Sequence, residues 1–351
     1  WEDGQLGELY RIDDEWWFRD DWGRSNRNAD WSYKGTDEPE RYQSEWIKRS
    51  RETEYDYSSF VNWVSTVGRN QFTREEIERM ADIDMMAANA VVRGWCDDWD
   101  TLTRNRGKNG YFLRRWSDNK WMLIQWDSDL TFGNNGAAFF GNLSGVRNFF
   151  DKPYVRQRVN YYLDKMINDY AATGPRLQAW FDLEEQASGS YSSNEGTYTN
   201  WHNGRVARAQ TEIGAFQSSS FNVLTGNGSS TSTTADTIGL SGTSPPDTFT
   251  IEVVGHPEAE WRFSDQDSWT LSGIQLQQGS NPLTVQALDA EGTVIASEVF
   301  TVTKSGNALP VIDFDPNPGS MNVAVTDLLE LDVSGSYDPE GTALSFSWTV
   351  D

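Results

Sequence analysis

The chain has 351 residues, a formal net charge of -24 and one cysteine, Cys96. Its length suggests two or three domains, and so acidic a surface disfavours nucleic acid and anionic lipid while attracting cations. A single cysteine excludes an intrachain disulfide framework and a cysteine-built zinc site, and His202 and His256 are too far apart in sequence to suggest a ligand pair.

No apolar run approaches the ~18 residues of a membrane span. The chain starts abruptly at Trp1 and reads as cut at both ends. Residues 1–217 carry 27 of the 29 basic residues and 14 of the 17 tryptophans, whereas 218–351 carry only Arg262 and Lys304 against 18 acidic residues. That break predicts an aromatic, helix-rich domain over 1–217. A β-sandwich over 218–305 and a partial β module over 306–351 follow. Acidic, Thr-rich, lysine-poor β modules are common in secreted bacterial proteins, which points to a bacterial secreted or cell-surface location.

In chain order, Gly7–Ile12 and Trp16–Phe18 are expected as short aromatic strands bounded by Asp/Gly turns. Glu40–Arg49 and Tyr55–Val67 are expected as helices, the second with Phe60, Val61, Val64 and Val67 on one face. Thr73 to about Trp95 is expected as one long helix, opened by a Thr73/Glu76 capping box and carrying a Met/Ala stripe suited to core packing. Tyr111–Trp116 and Lys120–Trp126 read as a β-hairpin turning at Ser117-Asp118-Asn119. A loop, Asp127 to Gly136, follows. Helical patterns return at Tyr154–Tyr170, with Pro153 in the first turn, and at Gly174–Glu185 and Thr199–Phe216. Short strands at Phe249–Val253, Trp269–Leu276, Leu283–Leu288 and Val294–Thr303 give a sandwich rhythm. Leu329–Val333 and Leu344–Val350 would belong to a further β module.

The chemistry concentrates between Asp97 and Gly133. Asp97, Asp98 and Asp100 close the long helix, where the helix dipole disfavours acids unless a cation or solvent compensates. Asp127 and Asp129 follow the second hairpin strand, and Lys108 and Asn109 precede the first. The two acidic clusters would meet if the hairpin folds back over the helix end. Converging carboxylates, an amide and a lysine suit Mg²⁺ with a phosphate ligand, because Mg²⁺ takes one or two carboxylates, water and phosphate oxygens. The order loop Asp, Asn, hairpin, Asp near Phe-Gly is the one protein kinases use for the base and the two metal ligands. Asp97 and Asp98 read as solvated neighbours, Cys96 as a small buried residue, and most tryptophans as core.

Trp99-Asp100, Lys108-Asn109-Gly110-Tyr111-Phe112-Leu113, Lys120-Trp121 and Trp126-Asp127-Ser128-Asp129-Leu130-Thr131-Phe132-Gly133 closely resemble the spore coat protein H (CotH) kinase family. The resemblance extends from about Gly7 to Phe216. It implies an α+β, atypical protein-kinase-like domain, secreted, using ATP with Mg²⁺ (or Mn²⁺ or Ca²⁺). By that resemblance Asp100 would be the catalytic base and Asp127 the main metal ligand, with Asp129 and Asn109 supporting it; Lys108, beside Asn109, reads as a nucleotide-phosphate contact or a surface charge. Asn105 competes for the Asn109 role, since it stands at the five-residue spacing from Asp100 that kinases use. The phosphate-covering loop and the ATP-positioning lysine are not identifiable, so the N-lobe is expected to be incomplete, which would leave this chain inactive. Residues 218–305 are similar to bacterial immunoglobulin-like modules, and Ser334-Gly335-Ser336-Tyr337-Asp338-Pro339 resembles a PKD-type module.

The resulting expectation is an exported phosphotransferase that moves the ATP γ-phosphoryl to Ser or Thr of a secreted or envelope protein. The competing expectations are a non-catalytic adhesion protein with a pseudokinase domain on immunoglobulin-like stalks and, more weakly, a glycosidase using two of the carboxylates.

Overall fold

A computed structural model describes residues 7–12, 29–104, 106–170, 174–189, 195–228, 230–306, 310–313, 332–338 and 343–347. The strand expected at Trp16–Phe18 and the alternative ligand Asn105 lie outside them, as do most of Leu329–Val333 and the end of Leu344–Val350. Among the described residues no helix is long and apolar enough to cross a membrane.

Alternating burial along β1 (Glu8–Ile12) puts Tyr10 and Ile12 into the core. The helix expected over Glu40–Arg49 does not form. A 3-10 turn, Pro39–Arg41, leads instead into strand β2 (Trp46–Lys48). β2 pairs antiparallel with β1, Tyr10 opposite Lys48 and Ile12 opposite Trp46, and this tertiary pairing overrides the local helical pattern. The expected helix near Val67 does form as α1 (Ser58–Val67), and its buried face includes Phe60, Val61, Val64 and Val67.

The long helix expected from Thr73 to Trp95 is two helices. The capping box is present at α2 (Arg74–Met80), but Ala81 leaves the helix in extended conformation and bridges to Trp121. Asp82 N–H then donates to the Trp121 carbonyl at 2.9 Å, while the Asp82 side chain caps Met85 N–H and opens α3 (Ile83–Trp95). The apolar stripe runs on across this break, which is why it reads as one helix. The hairpin is as expected: β3 (Gly110–Arg114) pairs with β4 (Trp121–Gln125), Gly110 opposite Gln125 and Arg114 opposite Trp121. These strands form one antiparallel sheet in the order β2-β1-β3-β4.

Helices α4 (Ser144–Phe150) and α5 (Pro153–Lys165) follow, α5 with proline in its first turn and a π-helical continuation to Tyr170. After them come α6 (Gly174–Ser188) and α7 (Glu195–Ile213). Aromatic rings fill the core: Phe112 stacks on Trp121 at 4.4 Å, and Trp31 meets Trp63 edge-on at 5.1 Å. Trp31, Trp46, Trp63 and Trp121 are all essentially buried. Each such ring removes roughly 150–250 Å² from water.

A second, separate core lies beyond Phe221. It is enclosed by two four-stranded sheets. One is formed by β5 (Asn222–Val223), β7 (Thr237–Thr243), β9 (Glu260–Phe263) and β10 (Ser268–Gln275), in the order β5-β7-β10-β9. The other is formed by β6 (Thr231–Thr233), β8 (Thr250–Val253), β11 (Gly279–Leu288) and β12 (Val294–Lys304), in the order β6-β12-β11-β8. Along β11 the inward residues Asn281, Leu283, Val285 and Ala287 alternate with outward ones. The strand rhythm in the sequence is therefore real. Helix α5 touches this unit directly, Gln157 Nε2 donating to the Thr248 carbonyl and Arg158 Nη1 to the Phe249 carbonyl, each at 2.9 Å.

Candidate functional site

The site forms where α3 ends and the β3–β4 hairpin opens. The two acidic segments do meet there. Trp99 N–H donates to the Leu130 carbonyl at 3.0 Å and Phe132 N–H to the Cys96 carbonyl at 2.7 Å, so the Asp127–Gly133 loop lies along the turn that follows α3. Beneath them runs the side chain of Arg93, which is 2 % exposed. Its Nη1 donates to the Asn109 carbonyl at 2.5 Å and its Nη2 reaches the Asp127 carbonyl at 3.4 Å and Asp98 Oδ2 at 2.6 Å. One guanidinium thus ties the residue before the hairpin, the residue after it and the helix end together. Burial lowers the pKa of Arg93, and the negative charges of Asp98, Asp100 and Asp127 oppose that shift.

The expectation that Asp97 and Asp98 are solvated is wrong. Asp97 and Asp98 are 4 % and 1 % exposed. Asp97 accepts from Arg104 Nη2 and from Asn134 N–H, both at 2.6 Å, and so anchors the loop after Gly133 to the helix end. Burial raises the pKa of Asp98, and Arg93 offsets part of that rise. The compensating cation demanded by acids at a helix terminus is therefore arginine, supplied twice.

The residues expected to do chemistry fall into two groups. Asp100 is 1 % exposed; its Oδ2 lies 3.2 Å from Lys108 Nζ, and its Oδ1 is buried without a hydrogen-bond partner. Asp127 and Asp129 are exposed, and Asn109 is half-buried. Asn109, Asp127, Asp97 and Phe132 all have positive φ, at 54°, 50°, 49° and 59°. Asn and Asp tolerate that region, but for Phe132 it costs on the order of 1–3 kcal/mol. The ring of Phe132 is held against Trp201 of α7 at 4.9 Å. Trp99 and Trp126 are not among the core tryptophans and lie exposed beside the carboxylates.

Sequence reasoning missed the arginines. Arg205 on α7 is fully buried and meets no carboxylate among the described residues. Its guanidinium donates to the carbonyls of Gly94 and Trp95 at the end of α3, at 2.5 and 3.1 Å. It also donates to the carbonyls of Asn135 and Ala137 in the loop after Gly133, at 3.1 and 2.6 Å. A cation on the negative end of a helix is favourable. Here it also pins the loop that carries the acids. Burial pushes its pKa down to about 10, so it remains charged near neutrality. Arg93 stands among the buried positions Ala90, Val91, Gly94 and Trp95, which is the signal that could have found it.

No cluster of three or more His, Cys, Asp or Glu residues among the described residues forms a ready metal cage. Asp127, Asp129 and Asn109 offer hard oxygen donors near the hairpin mouth, the kind that would suit Mg²⁺ completed by phosphate and water rather than zinc.

A family model described as CotH kinase protein matches residues 2–179. The chain belongs to the CotH kinase family. No curated protein matches the chain. The CotH match covers the sheet, α1 to α5, the hairpin and both acidic segments; Arg205 lies beyond it. Membership gives the CotH domain a kinase-like character, with ATP and a divalent metal as the reactants such a domain generally uses.

Proposed function

We propose that this chain is an exported CotH-type phosphotransferase, transferring the ATP γ-phosphoryl to a Ser or Thr hydroxyl of a secreted or cell-surface protein. The observation that carries the reading is Arg93, whose single guanidinium gathers Asn109, Asp127 and Asp98 at the mouth of the hairpin of a CotH domain.

In this reading Asp127, with Asp129 and Asn109, would hold Mg²⁺, which when bound neutralises the charge on the phosphates. Asp100 orients the acceptor hydroxyl and takes its proton as the new O–P bond forms. The bond to the ADP oxygen breaks and its electron pair leaves with ADP. Lys108 exchanges its contact with Asp100 for the transferred phosphoryl and exposes the carboxylate to the acceptor. The buried arginines keep both loops in place without entering the chemistry. The β-sandwich, which we infer to be an immunoglobulin-like spacer with a PKD-type module after it, positions the domain at the cell surface.

Isothermal titration of ATP with Mg²⁺, alongside ³²P transfer to a generic Ser/Thr protein substrate, tests the proposal. Nucleotide binding should require Mg²⁺ and vanish in Asp127→Ala, while Asp100→Asn should keep binding and lose transfer by at least ~100-fold, the usual range for a general base. Binding insensitive to Asp127→Ala would remove the metal assignment. Transfer undiminished in Asp100→Asn would remove the base. Binding without transfer in the unaltered chain would favour a pseudokinase.

A further inference from the structure

At the other end of the hairpin, a cleft of about 560 Å³ opens between the CotH domain and the sandwich. Its walls come from α2, the start of α3, Lys120 at the hairpin turn, α5 and strand β9. Small-molecule sites favour such junctions and span roughly 300–1,000 Å³.

The polar groups of this cleft are unusual in what they leave unmade. Gln157 is 1 % exposed; its Nε2 is spent on the Thr248 carbonyl, yet its Oε1 is buried without a partner. The Tyr154 hydroxyl and Arg74 Nη1 are likewise buried without partners, although Arg74 Nε donates to Glu78 at 2.6 Å. A buried polar atom left unpaired costs about 1–3 kcal/mol. On residues that line one cleft, the Tyr154 hydroxyl, Arg74 Nη1 and Gln157 Oε1 are thus two donors and one acceptor without a hydrogen-bond partner among the described residues.

The charges narrow the ligand class. Arg74, Lys120 and Arg158 face Glu78, Asp82 and Asp84. Three of each sign leave no net charge to recruit a phosphate or a cation. Several of these charges are already paired, Arg158 Nε with Asp84 Oδ1 at 2.7 Å and Asp82 Oδ2 with Arg115 Nη1 at 2.6 Å. Trp261 supplies an aromatic wall, with Phe263 beside it at a ring separation of 5.7 Å. A neutral molecule with an apolar face for an indole, and hydroxyls that both donate and accept, matches this lining.

We propose that the cleft binds a neutral saccharide, its ring face on Trp261 and its hydroxyls on Tyr154, Gln157 and Arg74. The site is separate from the phosphotransfer centre, from which the length of the hairpin divides it, and it does not depend on the chain's being a kinase.

The test is a glycan microarray of neutral and anionic saccharides probed with the full chain, followed by titration of the best neutral glycan. Binding of neutral glycans should weaken about tenfold in Tyr154→Phe, a change that removes one unpaired hydroxyl and should leave the circular dichroism spectrum unaltered and the Tm no lower. Trp261→Ala should abolish it. Asp127→Ala should leave it unchanged, whatever the outcome for ATP. Absence of neutral-glycan binding overturns the proposal, as does binding restricted to sulfated or uronic-acid glycans, or affinity equal in the wild type and Tyr154→Phe.

Discussion

The two halves of this protein solve the same problem, fixing a chain in place, by opposite means. The helical half, which runs past the CotH match to α7, buries charge. Arg93, Arg104 and Arg205 are all under 5 % exposed, and between them they hold Asp97, Asp98 and seven backbone carbonyls around one site. The sandwich buries almost none: its two cations, Arg262 and Lys304, make ion pairs near the surface, and its interior is Val, Leu, Ile, Phe and one fully buried Trp269. Hydrophobic burial is cheap and tolerant of shape, so it suits a spacer. Buried ion pairs gain little net stability, because desolvation offsets the attraction, but they fix geometry once formed. Their concentration at one end of one hairpin marks where position matters most.

The comparison can be broken by variants on each side. Arg93→Ala strands the Asp98 carboxylate in the protein interior, and urea unfolding should show a loss of ~3–5 kcal/mol in the CotH domain. It should also reshape the pH profile. Without Arg93 the Asp98 pKa rises further above its unfolded value, so the native state then binds more protons than the unfolded state. Stability should therefore fall as pH rises from the ordinary carboxylate range towards that raised pKa. A flat profile would mean that Asp98 finds another partner.

On the other side, Trp269→Ala should cost about 3–5 kcal/mol by cavity formation while leaving Mg²⁺-dependent nucleotide binding intact. If nucleotide affinity fell as well, the two halves would not be energetically distinct. Arg205→Lys keeps the charge but cannot form the fork to four carbonyls. A loss of ~1–2 kcal/mol is expected, with amide exchange quickened at Asn134–Ala137 and little changed in the β3–β4 ladder. The smallest effect should be Lys304→Ala. Its partner Asp236 is exposed, so the ion pair contributes little, and only a small change in Tm from the lost packing of the Lys304 stem is expected.

Much of this was legible in the sequence, for identifiable reasons. The Thr73/Glu76 capping box and the hairpin between Gly110 and Gln125 are local devices, and local devices survive folding. The convergence of Asp97–Asp100 with Asp127–Gly133 could be anticipated because helix end and hairpin are adjacent in chain order. What failed was non-local. Trp46–Lys48 became a strand because β1 was there to pair with it. The helix broke at Ala81 because Trp121, forty residues on, offered a bridge. Asp97 and Asp98 looked solvated because acids usually are, and their cations are set by tertiary geometry, Arg104 by a turn of the chain and Arg93 by the face it occupies. Arg205, 110 residues from the carbonyl of Trp95 that it holds, carries no local signature at all.

That arginine also redraws the edge of the working unit. The segment matched by the CotH family ends at residue 179, yet the guanidinium that clasps the loop beyond Gly133 arrives only with α7. A fragment trimmed to the match would keep every acid proposed for chemistry and lose the clasp. A nick anywhere between α6 and α7 would leave that clasp attached by packing alone. For anyone choosing where to cut this protein, the helical half keeps its last loop-holding residue on α7, well past the point where family likeness stops.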